Sequence, residues 1–318
     1  VTSHSGPSVL ATYSRSGFVE GAHHGYAVVV DPDGTVARSW GDPEHVIFPR
    51  SSNKPAQAAA MVEAGLEVPE HLLALAASSH SGEQGHLVAV AELLALGGLT
   101  ADSLQTPRDY PLDDEERDAW VRAGIAPDPL AMNCSGKHAG MLVTCVANDW
   151  PIETYRQPDH PLQQAIRKTL ERLARERVGN VGVDGCGAPV MSLTMAGLAR
   201  TLSGAVQAPE GSPERRVADA MRAHPEMLGG SRRDVTAFMR AVPGLAAKDG
   251  AEGVYVAAMP DGTGIAVKVD DGADRARQVV LARLLMDLGV DPDAVAGLAT
   301  VPLHGGGAVV GEVRSALG

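Results

Sequence analysis

Aromatic residues are scarce in this chain: three Phe, five Tyr and three Trp among 318 residues. A core therefore has to be packed from Ala, Val and Leu, while 36 glycines imply many turns and close backbone approaches. No run reaches the roughly 20 apolar residues of a membrane span. Val1 to Gly17 lacks a charged region followed by an apolar one, the pattern of an export signal, so the expected location is cytoplasmic. Blocks of Lys or Arg are missing as well, and 39 acidic against 27 basic side chains leave a formal charge of −12. That balance repels phosphate, so neither nucleic acid nor an anionic membrane is an expected partner. There are only three cysteines, Cys134, Cys145 and Cys186. An odd number without framework spacing points to a reducing compartment and to thiol or metal roles rather than disulfides. Cys145 sits in the apolar run Met141 to Val146 and reads as core.

The order of elements predicts an α/β (α+β) fold. Gly25 to Val30 and Thr35 to Trp40 flank the turn Asp31-Pro32-Asp33-Gly34, a β-hairpin pattern. Gly253 to Met259 and Gly264 to Val269 repeat it around Pro260-Asp261-Gly262-Thr263. Between the hairpins, segments 55 to 64, 84 to 97, 138 to 148, 161 to 177 and 188 to 203 carry helical periodicity with many alanines. Ser212-Pro213-Glu214 reads as the start of a further helix over 212 to 223, and a last one covers 273 to 289 before a glycine-rich tail at Gly305 to Gly307. The expectation is one two-lobed domain over 1 to 318. An antiparallel sheet lobe (8 to 50 and 245 to 318) comes from both chain ends, and a helical lobe (51 to 244) is inserted between them.

Chemistry concentrates beside glycine. Ser51-Ser52-Asn53-Lys54 places a hydroxyl and an amine on one face of a helical turn, the spacing at which a lysine can take a serine's proton. Pro55 disfavours α geometry at Lys54 and is least costly in a first turn, which puts the tetrad at a helix start. Ser78-Ser79-His80-Ser81-Gly82-Glu83 follows the apolar run Leu72 to Ala77, where Ser79 and Ser81 also suit capping a helix that begins near Glu83. Asn133 to Gly140 packs Cys134, Lys137 and His138 into one turn. Asp184-Gly185-Cys186-Gly187-Ala188-Pro189 joins a carboxylate to a thiol, and Lys248-Asp249-Gly250-Ala251-Glu252-Gly253 supplies another lysine. Taken singly, each motif has a structural reading: a cap, a small buried hydrophobe, a solvated lysine.

In order and spacing, the five motifs together resemble the Rhizobium-type (class 3) L-asparaginase family, from about Val19 to the C-terminus. The resemblance implies a fold similar to serine β-lactamases and penicillin-binding proteins. It also implies hydrolysis of L-asparagine to L-aspartate and ammonia through two serine–lysine pairs, Ser51 with Lys54 and Ser79 with Lys248: Ser51 is the expected nucleophile and Lys54 its base, with Ser79 and Lys248 relaying the proton to the leaving group, and the alternative exchanges the two serines. Zinc held by Cys134, Lys137 and Cys186 is implied too, as is a homodimer. Asp184 is expected to meet the substrate ammonium, and Arg50 or His80 its α-carboxylate. The polar Ser52-Asn53 departs from the family pattern and keeps open a related amidase or glutaminase acting on another amide. A non-catalytic protein binding zinc or an amino acid is the rival of a different class.

Overall fold

The main sheet draws its strands from the two ends of the chain. The computed structural model describes residues 6–318. Near the N-terminus lie β1 (Ser8–Arg15), β2 (Phe18–Val30) and β3 (Val36–Trp40). Two small ladders are formed by β4 (Val46–Ile47) with β7 (Leu193–Thr194), and by β5 (Val181–Val183) with β6 (Pro189–Met191). The C-terminal part supplies β8 (Ala246–Gly250), β9 (Val254–Ala258), β10 (Gly264–Val269), β11 (Thr300–Gly305) and β12 (Ala308–Ser315). Along the sheet the order is β11-β12-β1-β2-β10-β9-β8, with β3 also on β2, and every pairing is antiparallel. Both hairpins expected from the sequence form, β2 with β3 and β9 with β10. They join where Val30 opposes Gly264 and Gly25 opposes Val269. Every residue of β9 is buried, so both faces of this part of the sheet are covered.

Helices fill the middle of the chain: α1 (Lys54–Glu63), α2 (Glu70–Ala76), α3 (Gln84–Leu96), α4 (Asp114–Ala123), α5 (Ser135–Ala147), α6 (Pro161–Ala174), α7 (Met195–Gln207), α8 (Pro213–Ala223), α9 (Pro225–Gly229) and α10 (Asp234–Ala241). A later helix, α11 (Asp274–Asp287), returns to the sheet. Helix α7 packs on β2, β9 and β10, and α11 on β1, β10 and β12. Lys54 to Val62 is buried without interruption, so α1 is a central helix, enclosed by α5, α6, α7 and α8. Its run of small side chains suits that position: Ala56, Ala58, Ala59 and Ala60 let neighbours approach closely, and each buried methyl contributes about 0.8 kcal/mol. Gly136 serves the same end on α5, since a Cβ there would lie 2.6 Å from the Leu75 carbonyl oxygen of α2.

Several expectations need correction. The stretch before α7 is extended, because Pro189 to Thr194 pairs into β6 and β7, and the Thr194 hydroxyl then caps α7 by accepting from Gly197 N–H at 2.9 Å. Gly305 to Gly307 is no tail: it turns β11 into β12. Ser212 occupies the N-cap of α8, yet its hydroxyl donates to the Pro209 carbonyl at 2.6 Å. Lys54 takes α geometry (φ −59°, ψ −32°) despite Pro55, because the 3₁₀ turn Arg50–Asn53 leads directly into α1.

Candidate active site

Five segments that are distant in sequence converge beside the sheet edge, at β8 and the turn before α1. Ser51 lies half-buried in that turn and lines a cavity of about 140 Å³ with Ser79, Asn133, Arg233, Asp249 and Arg277. Gly250 permits the contact between sheet and turn, since a Cβ there would meet the Pro49 carbonyl oxygen at 2.8 Å and the Ser52 nitrogen at 3.1 Å. Arg50, immediately before Ser51, holds a left-handed φ of 53°, a conformation that costs a non-glycine residue of order 1 kcal/mol or more.

Lys54 points inward from the start of α1 and is 1% exposed. Its Nζ donates to the Ser78 carbonyl at 2.5 Å and lies 2.9 Å from Ser79 Oγ and 3.2 Å from Cys134 Sγ. The hydrogen-bonded serine–lysine pair in the structure is thus Lys54 with Ser79, whereas Ser51 faces the same cavity without a hydrogen bond to either lysine. Neither Ser79 nor Ser81 caps α3. The N-cap there is Glu83, and Ser81 Oγ donates to the Gly229 carbonyl at 2.6 Å, tying this motif to the segment before α10.

Lys248 on β8 is fully buried, and its Nζ donates to the Asp249 carbonyl at 2.7 Å and to Asp249 Oδ1 at 2.6 Å. Burial, with Lys54 and Arg233 nearby, pushes its pKa down to about 8 against the opposing pull of Asp249. A lysine so placed exchanges its proton near neutral pH, which suits it to proton transfer.

The expected substrate-binding residues are arranged differently. Arg50 Nε donates to Asp184 Oδ1 at 2.8 Å, and its Nη1 lies 3.6 Å from Glu252. Asp184 and Arg50 therefore satisfy each other and neither lines the cavity, whereas His80 is fully buried, with Nε2 2.8 Å from Ser135 Oγ and its ring stacked on His86 at 5.2 Å. Burial, then the charges of His86, Lys54 and Arg233, holds His80 well below the ordinary histidine range, so it stays neutral. Asn53 Oδ1 accepts from Gln57 Nε2 at 2.9 Å, and the residue does not line the cavity.

Behind Lys54 lies a thiol cluster. Cys134 and Cys186 pack together, Cys134 Sγ donates to Asn133 Oδ1 at 3.1 Å, and Lys137 Nζ is 3.1 Å from Cys186 Sγ. The adjoining Cys186 sulfur and burial push the Cys134 thiol up. The adjoining Cys134 thiol, with the Lys137 charge, holds Cys186 below its ordinary value in spite of burial. Burial alone would lower Lys137, but the two sulfurs outweigh it and keep the ammonium above its usual range. His138 places Nδ1 2.6 Å from the Tyr155 hydroxyl and leaves a buried Nε2 without a hydrogen-bond partner. Among the described residues no group of three or more His, Cys, Asp or Glu side chains forms a metal cage, so a three-ligand set exists only by counting Lys137. Two converging thiols, one primed as thiolate, with an amine against them are a donor set that fits zinc. Cys145 is core, as expected, and burial raises its thiol to about 12.

The segment Gly229 to Asp234, with Ser231, Arg232 and Arg233, reads from the sequence as pocket wall, and Arg233 does line the cavity. Sequence reasoning passed over Asp249 and Arg277. Asp249 had a signal, since it adjoins Lys248. Arg277 had none in its own neighbourhood, because only the tertiary fold brings α11 to β8.

A family profile described as L-asparaginase II matches residues 11–315. No curated protein matches the chain. Among solved structures, a beta-lactamase from Mycobacterium bovis is 16% identical over 83% of this chain and 94% of its own, with a TM-score of 0.46. Mglu in its glutamate form is 16% identical over 84% of this chain and 61% of its own, with a TM-score of 0.47. A Bacillus glutaminase is 16% identical over 83% and 91%, with a TM-score of 0.37. The profile spans nearly the whole chain and includes all five motifs, and on that ground the protein belongs to the L-asparaginase II family of amide-cleaving hydrolases.

Proposed function

We propose that the protein hydrolyses L-asparagine to L-aspartate and ammonia through a seryl ester. The observation that carries this reading is the buried contact of Lys54 Nζ with Ser79 Oγ at 2.9 Å, on the wall of a cavity that Ser51 also faces. Ser51 Oγ attacks the side-chain amide carbon, and its proton passes through Ser79 to Lys54. As the C–N bond breaks, the departing nitrogen takes that proton and leaves as ammonia. Water then cleaves the ester, restoring the Ser51 hydroxyl and freeing aspartate. Lys248 supplies the second exchangeable proton site. The direct Lys54–Ser79 bond favours a second reading with the serines exchanged, in which Ser79 attacks.

The Arg50–Asp184 pair, next to Ser51 in the chain, offers one charge of each sign to the substrate's carboxylate and ammonium. Cys134, Cys186 and Lys137 would hold zinc, which when bound supplies a fixed positive charge and Lewis acidity beside Lys54. The resemblance also carries a homodimer into this reading, for which light scattering at twice the 33.0 kDa chain mass is the check.

The test is ammonia release from L-asparagine and L-glutamine by wild type, Ser51→Ala and Ser79→Ala, with the acylated serine located by mass spectrometry. Release from asparagine that vanishes in Ser51→Ala, with ester on Ser51, supports the assignment. Ester on Ser79 exchanges the serines. Faster release from glutamine moves the substrate, and stoichiometric zinc with no turnover on either amide favours a binding protein.

A further inference from the structure

Between the two lysines of this site lie two charged residues, Asp249 and Arg233, that nothing in the proposed reaction uses directly. Asp249 is 3% exposed and Lys248 fully buried. Neighbours on a strand point to opposite faces, yet Lys248 Nζ doubles back to both the carbonyl and Oδ1 of Asp249. The other carboxylate oxygen, Oδ2, accepts from Arg233 Nη2, and Arg277 Nη2 approaches it to 3.5 Å. Arg233 Nη1 in turn donates to the Ser79 carbonyl at 2.9 Å. The path therefore runs from Lys248 through Asp249 and Arg233 to Ser79, and from Ser79 Oγ to Lys54. Its links come from β8, the residue before α10, the turn after α2 and the start of α1.

Burying this many charges is costly, and equivalent volume in apolar side chains would often stabilise a fold as well or better. We propose that Asp249 is a positioning residue: one carboxylate oxygen fixes the Lys248 amine and the other, through Arg233, fixes the Ser79 backbone, so that the second lysine and the serine keep a constant relation during turnover. The inference rests on the amidohydrolase reading above. Asp249 is faced by Lys248 on its own strand, by Arg233 and Asp234 at the start of α10, by Arg277 from α11 and by Tyr255 from β9, while Asp274 and Lys54 lie one charge further out. Among these, only Asp249 both opposes the forces that empty Lys248 of its proton and touches the guanidinium on Ser79.

The experiment compares wild type, Asp249→Asn and Asp249→Glu by asparagine kinetics across pH and by ¹⁵N NMR titration of Lys248 Nζ. Removing the charge leaves burial, Lys54 and Arg233 unopposed, so in Asp249→Asn the Lys248 midpoint falls by about one unit and the acid limb of kcat moves down with it. In the same variant kcat drops about 100-fold with KM nearly constant, the signature of lost alignment rather than lost binding. Asp249→Glu keeps the charge and displaces it, so kcat drops about 10-fold with the midpoint unmoved. Unchanged kcat and midpoint in Asp249→Asn overturn the proposal, as does a loss of thermal stability with neither moved. Should Asp249→Asn fail to fold, wild-type kcat in Asp249→Glu overturns it alone. If wild type cleaves no amide, the asparaginase reading falls, and the Lys248 midpoint still decides whether Asp249 governs that lysine.

Discussion

Lys248 and Lys137 are both fully enclosed in one protein, and their surroundings drive them apart. Around Lys248 the neighbours Lys54 and Arg233 add to desolvation, and its pKa falls to about 8 even with Asp249 in contact. Around Lys137 the sulfurs of Cys186 and Cys134 more than reverse the same desolvation and hold the proton tightly. Burial alone therefore does not decide what a lysine does. A positive neighbourhood makes it a proton exchanger and a sulfur-rich one makes it a fixed cation, unless a metal ion takes the proton's place.

The sharpest way to break this contrast is to remove the lysine that touches both regions. Lys54→Met, which takes the amine away from Ser79 and from Cys134, is expected to cut ammonia release by about 10³-fold or more in a steady-state assay. Next is Cys186→Ala. It takes one of the two thiols from the donor set, so zinc measured by elemental analysis should fall from about one per chain to a small fraction, while the Lys248 midpoint stays put.

The pH dependence sharpens the contrast further. Activity that needs neutral Lys248 rises through about pH 8, and a profile flat from about pH 6 to 10 would refute a lysine base. Lys248 binds its proton less tightly folded than unfolded, so the unfolded chain holds more protons between about pH 8 and the ordinary lysine value near 10.4, and stability from this group rises with pH across that window. Lys248→Met should abolish that rise and raise the melting temperature at pH 7, even as it lowers kcat. The smallest effect belongs to the third cysteine, outside both regions. Cys145→Ala is expected to cost about 1 kcal/mol in denaturant unfolding and to leave turnover and metal content unchanged.

What the sequence disclosed followed the reach of each signal. Val-rich runs on either side of clear turn signals located β2, β3, β9 and β10, and alanine-rich helical periodicity located most of the long helices. Short strands such as β8 were passed over: Ala246-Ala247-Lys248-Asp249-Gly250 has no β-branched residue to mark it as extended. At the candidate site, the motifs supplied Ser51, Lys54, Ser79 and Lys248, and their spacing suggested Ser51 as partner of Lys54. The fold instead swings Lys54 across to Ser79, because Lys54 points into the gap between α1 and the turn that follows α2. Arg277 carries no local sign of its place, for it comes to the site only because α11 packs back toward β8.

The contact at Gly250 has a consequence in time. Ser51, Lys54 and Ser79 leave the ribosome before the wall opposite them, a strand near residue 250 that is anchored by β9 and β10 to a β2 synthesised long before. The growing chain thus carries Ser51 and Ser79 with no finished cavity around them until β8 has emerged. Hydrolytic competence arrives only when the late strands close against the early ones, which links the onset of activity to completion of the sheet.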